Sequence, residues 1–250
     1  MRIRYQVALY FILSIALTSC SAYKKAIYFQ DVDRQKFTKE AITNYKPLTI
    51  QPEDILAIGI SSMNPESSAA LNFASGPASA GAEGPSGYTV DQRGDIQLPV
   101  VGNLHVSNLN TSQVREEIRL KLVAYLKEPV VVVKLVNFKI SILGDVSNPG
   151  LFKIPSERLT IPEAMSLAGD LGTSALRTLL IIRENNGERE FINVDLTKKS
   201  VFNSPYYYLK NNDVIYVQPG RIKYSSNDPI YQRIGLILSV VSVAAVFIFR

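Results

Sequence analysis

The sequence predicts an α+β protein: two small, mixed, β-rich domains set between an apolar segment at each end. Three observations predict it. Short apolar runs, several of them of period two, alternate with only two capped helical stretches. Gly-Asp, Pro-Gly and Asn-Gly pairs punctuate the runs as turns. A turn-then-strand pattern also occurs twice, because Ile50 to Ile58 matches Leu209 to Val217 position by position: an apolar residue, a polar triplet, an aspartate (Asp54, Asp213), then a strand.

The apolar run Val7 to Leu17 follows Arg2 and Arg4 and closes on Leu17-Thr18-Ser19-Cys20. A charged start, a short apolar core and a small-residue exit read as a secretory signal. The cut would fall before the only cysteine, a pattern that resembles the bacterial lipoprotein signal and implies Cys20 as the lipid-attachment residue. Residues 1–19 would then be removed. Arg2 and Arg4 leave with them, so 25 bases face 22 acids at a net charge of +3. No Lys/Arg cluster of nucleic-acid type occurs, so no nucleic-acid partner is expected. A lipidated Cys20 leaves no thiol for a disulfide or a metal. His105 is the single histidine, without a second imidazole to share a metal. Glu53 with Asp54, Glu116 with Glu117, and Asp91 with Asp95 read as turn and surface charge, and no motif surrounds His105. The expectation is therefore no catalytic residue, no cofactor and no metal.

Residues 20–45 are polar and weakly patterned, suiting a tether with room for one short strand around Ala26 to Phe29. The first domain is expected over 46–138. Leu56, Ile58 and Ile60 alternate as a half-buried strand. From Ser61 to Gly87, 20 of 27 residues are Ser, Ala, Gly or Pro, a flexible loop that cannot bury enough apolar area to offset its ordering entropy. Tyr88 to Pro99 reads as a hairpin around Asp91 to Gly94, with Gly94 at positive φ. Asn110 and Gln113 form a capping box for a helix that buries Val114, Ile118 and Leu122, pairs Glu117 with Lys121, and stops at Pro129. The β-branched run Val130 to Val136 reads as a strand covered on both faces.

The second domain is expected over 139–220. Lys139 to Gly144 is a strand, and Ser147-Asn148-Pro149-Gly150 a turn. Thr160, Pro162 and Glu163 start a helix that Gly169 ends. Strands at Leu179 to Arg183 and Glu190 to Val194 flank Asn185-Asn186-Gly187. Tyr206, Tyr207 and Tyr208 form the one aromatic cluster. On a strand, Tyr206 and Tyr208 would share a side, offering faces for a sugar ring or for core and interface packing.

Residues 221–250 are a linker and an apolar helix. Ile234 to Phe249 is 16 uncharged residues between Arg233 and Arg250, about 24 Å at ~1.5 Å each, short but workable for the thin bacterial outer membrane. Gly235, Ser239, Ser242 and Ala245 put small side chains on one stripe, suited to helix packing or to lining a pore. Ser21 favours outer-membrane sorting under the rule known for some enteric bacteria; retention in the inner membrane is the competing topology.

The ordered set resembles the outer-membrane polysaccharide export family from about Lys46 to Gln218. The export domain is matched by the Ile50 to Ile60 strand, Val90-Asp91 to Ile96, Leu98-Pro99, Gly102, and Glu128-Pro129-Val130. A soluble-ligand-binding β-grasp domain resembles Ile142 to Val146, Pro149 to Phe152, Leu159 to Gly172, and Leu209 to Val217. The resemblance implies a non-catalytic, ring-forming homo-oligomer in the outer membrane. Its body would stand in the periplasm, with a capsular or exopolysaccharide chain and an inner-membrane polysaccharide co-polymerase as partners. A periplasmic binding lipoprotein without a pore is the alternative.

Overall fold

Alternation of buried and exposed positions builds the first sheet. The computed structural model describes residues 27–69, 71–72, 87–185 and 187–220, with 233, 235, 236 and 239. Strand β1 (Ile55–Ser61) buries Leu56, Ile58 and Ile60 and pairs antiparallel with both β2 (Tyr88–Thr89) and β5 (Val130–Leu135). Between them the chain adds helix α1 (Pro65–Ala69), the hairpin β3 (Asp95–Leu98) and β4 (Gly102–His105), and helix α2 (Thr111–Leu122). Helix α2 starts on the expected capping box: the Asn110 side chain accepts from Gln113 N, and Gln113 reaches back to Asn110 N, both at 2.9 Å. Its Val114, Ile118 and Leu122 are fully buried with Val131, Val133 and Leu135 of β5.

Four local expectations change. Val130 and Val132 are 59% and 49% exposed, so β5 is covered on one face only. A continuous apolar run signals two covered faces only when something lies on the second. The Asp91–Gly94 turn forms with Gly94 at φ +84, yet the strands around it go to different sheets. Tyr88–Thr89 pairs with β1, while β3 turns back onto β4 through Gly102. On α2 the ion pair is Arg119 with Glu116 at 2.6 Å rather than Glu117 with Lys121, and the helix ends at Leu122, seven residues before Pro129. Of the Ser61 to Gly87 loop, the beginning is ordered: Asn72 accepts from Ile60 N and donates to its carbonyl, prolonging the ladder of β1.

The second unit is one five-stranded sheet in the order β7-β6-β10-β8-β9. Its strands are β6 (Lys139–Gly144), β7 (Gly150–Lys153), β8 (Ala175–Asn185), β9 (Glu188–Asp195) and β10 (Val214–Pro219). The outer pairs are hairpins, and β6 and β10 run parallel in the middle. A parallel neighbour needs a crossover, and helix α3 (Ile161–Leu167) supplies it, capped by Thr160 and Glu163. Ile140, Ile142, Leu179, Ile181, Ile215 and Val217 are buried with Ile161, Ala164 and Met165. Gly144 lets β6 leave β10: at φ +99, a Cβ there would lie 2.0 Å from the Val217 carbonyl oxygen.

The repeated turn is real in three dimensions. Gln51 N donates to Asp54 and Lys210 N to Asp213, at 2.9 and 2.7 Å. Glu53 and Asn212 take matching φ values of +71 and +66. The two copies also touch, because Asn211 donates to Asp54 Oδ1 at 2.6 Å while accepting from Lys139 N. Asn137 completes the junction by accepting from Ile55 N and donating to the Glu53 carbonyl.

Candidate functional site

Residues 27–45 run along the second unit, held at points rather than as a strand. Phe29 N and Gln30 N donate to the Leu196 and Thr197 carbonyls. Asp31 accepts from Lys199 N, and Glu40 pairs with the Lys199 ammonium. Asn44 donates to the Phe202 and Ser204 carbonyls at 2.8 and 2.7 Å. Rings supply the adhesion. Phe29 meets Phe202 with centroids at 4.7 Å, Phe202 meets Tyr207 at 5.6 Å, Tyr207 meets Tyr208 at 5.1 Å, and Tyr208 meets Tyr45 at 5.1 Å. Every step falls in the range where aromatic pairs attract beyond their area. The segment is thus stapled at both ends, by Phe29 and by Tyr45.

Between this segment and the body lies a cleft of about 400 Å³, walled by Glu40, Ile42, Arg158, Glu163, Tyr207 and Tyr208. A smaller recess of about 140 Å³ continues past Tyr208, where Tyr45, Leu48, Arg158, Arg183 and Lys210 meet. The cleft therefore combines flat aromatic faces with fixed charges of both signs. Burial works against a charged Glu163, yet the Thr160 N–H and hydroxyl, at 2.7 and 2.8 Å, with Arg158 beyond, hold its carboxyl below the usual range. Burial pushes the Tyr207 phenol up, so it stays a neutral hydrogen-bonding group.

The expected tyrosines are only partly brought together. Residues 206–208 form a turn and a single bridge between Tyr208 and Thr160, not a strand, and they follow a short 3-10 helix at Lys199–Asn203. The shared side expected of Tyr206 and Tyr208 is replaced by a shared partner. Arg183 stacks over the Tyr206 ring at 5.7 Å and donates to the Tyr208 carbonyl at 3.4 Å, while its guanidinium grips Asp213 at 2.8 and 2.7 Å. Tyr208 lines both recesses and Tyr206 neither. Sequence reading missed Tyr45, Phe29 and Arg158; the aromatics of an otherwise polar tether were the signal available.

A second feature is the loop Asp170–Ala175. Tyr28 donates to Asp170 at 2.5 Å, and burial together with that carboxylate pushes its phenol well above the ordinary value. Arg177 lies over the same ring at 5.5 Å and donates to the Gly172 and Ala175 carbonyls. Gly220 N donates to Ser174 O at 2.9 Å. The chain thus comes into the described body and leaves it at one loop. Cys20, Ser242 and Ala245 lie outside the described residues. Gly235 and Ser239 are helical and exposed, and the Ser239 hydroxyl bonds the Leu236 carbonyl at 2.7 Å. Among the described residues no helix is long and apolar enough to cross a membrane.

A mixed α/β body with an aromatic, doubly charged cleft defines a class rather than a reaction, and the comparisons narrow it. Residues 43–136 match the polysaccharide biosynthesis/export protein family, and the relatives found support the same family for this part of the chain. The EPS I polysaccharide export outer membrane protein EpsA of Ralstonia nicotianae is 26% identical over 141 residues, covering 55% of this chain and 37% of the relative. Its namesake from Ralstonia solanacearum is 26% identical over 143 residues, 56% and 38% of the two chains. The exopolysaccharide production protein ExoF of Rhizobium meliloti is 33% identical over 106 residues, 41% of this chain and 23% of the relative. The matched part spans less than two-fifths of each relative's length.

Proposed function

We propose that this protein is a non-catalytic, lipid-anchored subunit of an outer-membrane channel that exports capsular or exopolysaccharide. In this reading Cys20 carries the lipid, the body stands in the periplasm, and Ile234 to Phe249 forms a second membrane anchor packed along Gly235, Ser239, Ser242 and Ala245. Copies assemble side by side into a ring around a polar lumen, fed by an inner-membrane polysaccharide co-polymerase. The names of the EpsA relatives support the export role and the outer membrane. The sheet order, hairpins outside and parallel first and last strands within, supports reading residues 139–220 as the β-grasp domain.

One observation carries the anchoring: Tyr28 and Gly220 meet at the loop Asp170–Ala175. Cys20 lies seven positions before Ile27, a reach of at most ~25 Å. In this reading the segments leading to Cys20 and to the helix both leave the second unit from the loop Asp170–Ala175, an arrangement compatible with both anchors in one membrane. Tyr208, with Arg158 and Glu163 beside its ring, is the glycan contact this reading favours; Tyr206 supports it through Arg183.

Deleting residues 234–250 tests the anchor. A folded, acylated protein with polymer release at the surface abolished is expected; unchanged release overturns the role of that helix. Mass spectrometry of the mature amino terminus tests Cys20, where an unmodified terminus sinks the lipid anchor. The cleft also suits a saccharide-binding lipoprotein without a pore. Particle size in mild detergent separates the two, a large ring in the first case and a monomer or dimer in the second.

A further inference from the structure

The recess past Tyr208 holds a buried acceptor that no donor reaches. Asn44 lines it. Its amide is fixed in one orientation, since Nδ2 donates to the Phe202 and Ser204 carbonyls at 2.8 and 2.7 Å, and turning it over would lose both bonds. The Oδ1 atom on the other side is buried and has no hydrogen-bond partner among the described residues. A buried acceptor without a donor costs free energy, and native chains keep few of them. Asn44 therefore calls for a donor from outside the chain.

The charges around it are uneven. Five charged side chains border the recess: Lys46, Glu157, Arg158, Arg183 and Lys210. Arg183 is neutralised by Asp213. Arg158 reaches Glu163 at 3.5 Å, and Glu157 accepts from the Thr111 hydroxyl at 2.8 Å. Lys46 and the half-buried Lys210 form no ion pair among the described residues. Even with Glu157 set against one of them, the recess keeps a positive surplus. The cleft beside it is balanced instead, with Glu40 on Lys199 and Glu163 on Arg158. A ligand lying across Tyr208 is oriented by that difference, its acidic end toward the recess.

We infer that the recess takes the carboxylate edge of an acidic sugar residue, a hexuronate, whose ring lies in the cleft against Tyr208. Three demands meet in that one class. A ring hydroxyl donates to Asn44 Oδ1. The carboxylate accepts from the Lys46 and Lys210 ammonium groups. The C–H face of the pyranose meets a tyrosine ring, whose π-face is negative. Size sets the division of labour. The cleft, at about 400 Å³, falls in the range of small-molecule pockets, whereas the recess, at about 140 Å³, lies below it and has room for a substituent edge rather than a whole residue. A neutral sugar leaves both lysines unanswered. The inference rests on the glycan contact proposed above, and it names the class of sugar and the residues that select it.

The test is calorimetric titration of the full chain in mild detergent with trigalacturonate and with its methyl ester, which carries no charge. The acid should bind roughly fivefold or more tightly than the ester at low salt, and the preference should fade as salt rises. Lys46→Gln combined with Lys210→Gln should equalise the two ligands and leave the thermal midpoint unchanged. Triglutamate, of the same net charge but without a sugar ring, should bind no better than the ester. Equal binding of acid and ester by the wild type overturns the acidic-sugar assignment and leaves the glycan contact at Tyr208 standing. A preference that survives the double substitution places the carboxylate elsewhere, and triglutamate bound as tightly as the acid makes the recess a site for acidic peptides; either result overturns the inference. If neither saccharide binds, the glycan contact falls with it.

Discussion

Asp54 and Asp213 close the same turn, one in each unit, and each accepts the backbone N–H three residues before it. Both are buried, at 2% and 0% exposure. Their partners differ. Asp213 receives two hydrogen bonds from the buried Arg183 guanidinium, whereas Asp54 receives one from the Asn211 amide. Burial without a cation raises the Asp54 carboxyl above its ordinary value. One local shape has thus been given two electrostatic settings. The aspartate with a guanidinium partner organises the interior of the second unit, and the one with only an amide partner joins the two units.

The sharpest way to break this comparison is Asp213→Ala. It leaves the Arg183 guanidinium buried without its carboxylate, and urea unfolding should show a loss of about 3–5 kcal/mol. A loss below about 1 kcal/mol would mean that water reaches Arg183. The helix caps sharpen the contrast between units at the next scale. Asn110→Ala and Thr160→Ala each remove a capping box, worth about 1 kcal/mol. Thr160, buried and bonded to Glu163 through its hydroxyl as well as its N–H, should lose more than the half-buried Asn110 in the same unfolding assay.

Asp54→Asn keeps an acceptor for Gln51 N but turns an amide NH2 toward the Asn211 donor, so about 1–3 kcal/mol should be lost at neutral pH. Its signature is the pH dependence. A carboxyl raised on folding contributes stability that is fully present below its unfolded pKa and is lost as pH rises through the raised folded value. Acidification from neutrality should therefore favour the wild type over Asp54→Asn, as read by unfolding at matched pH values. Parallel stability curves for the two would show that Asp54 does not titrate with folding. Glu163 runs the other way. Its lowered carboxyl contributes stability that is lost as pH falls through its folded value, so Glu163→Gln should flatten the acid limb.

Much of the fold was legible where the determining contacts lie within a few residues. Asn110 with Gln113 and Thr160 with Glu163 are three apart, and both boxes form as expected. Leu56, Ile58 and Ile60 alternate in the chain and alternate in burial. The repeat at Asp54 and Asp213 was visible for the same reason, since the turn closes on its own backbone. The site was less legible. Tyr45 reaches Tyr208 across more than 160 residues and Phe29 reaches Phe202; aromatic residues in a polar tether hint at a docking surface but not at which one.

What the sequence determined by itself was therefore the identity of the pieces: which runs are strands, where two helices begin, and where glycine must turn the chain. Capping, alternation and backbone sterics act over three or four residues and do not wait for the rest of the molecule. Tertiary structure alone decided the company each piece keeps. It sent Tyr88–Thr89 to β1 rather than to β3, left one face of Val130 to Leu135 bare, and gave Asp213 a guanidinium where Asp54 has an amide. Those outcomes depend on which distant surfaces compete to exclude water and satisfy buried charge, a competition settled only when the whole chain has closed.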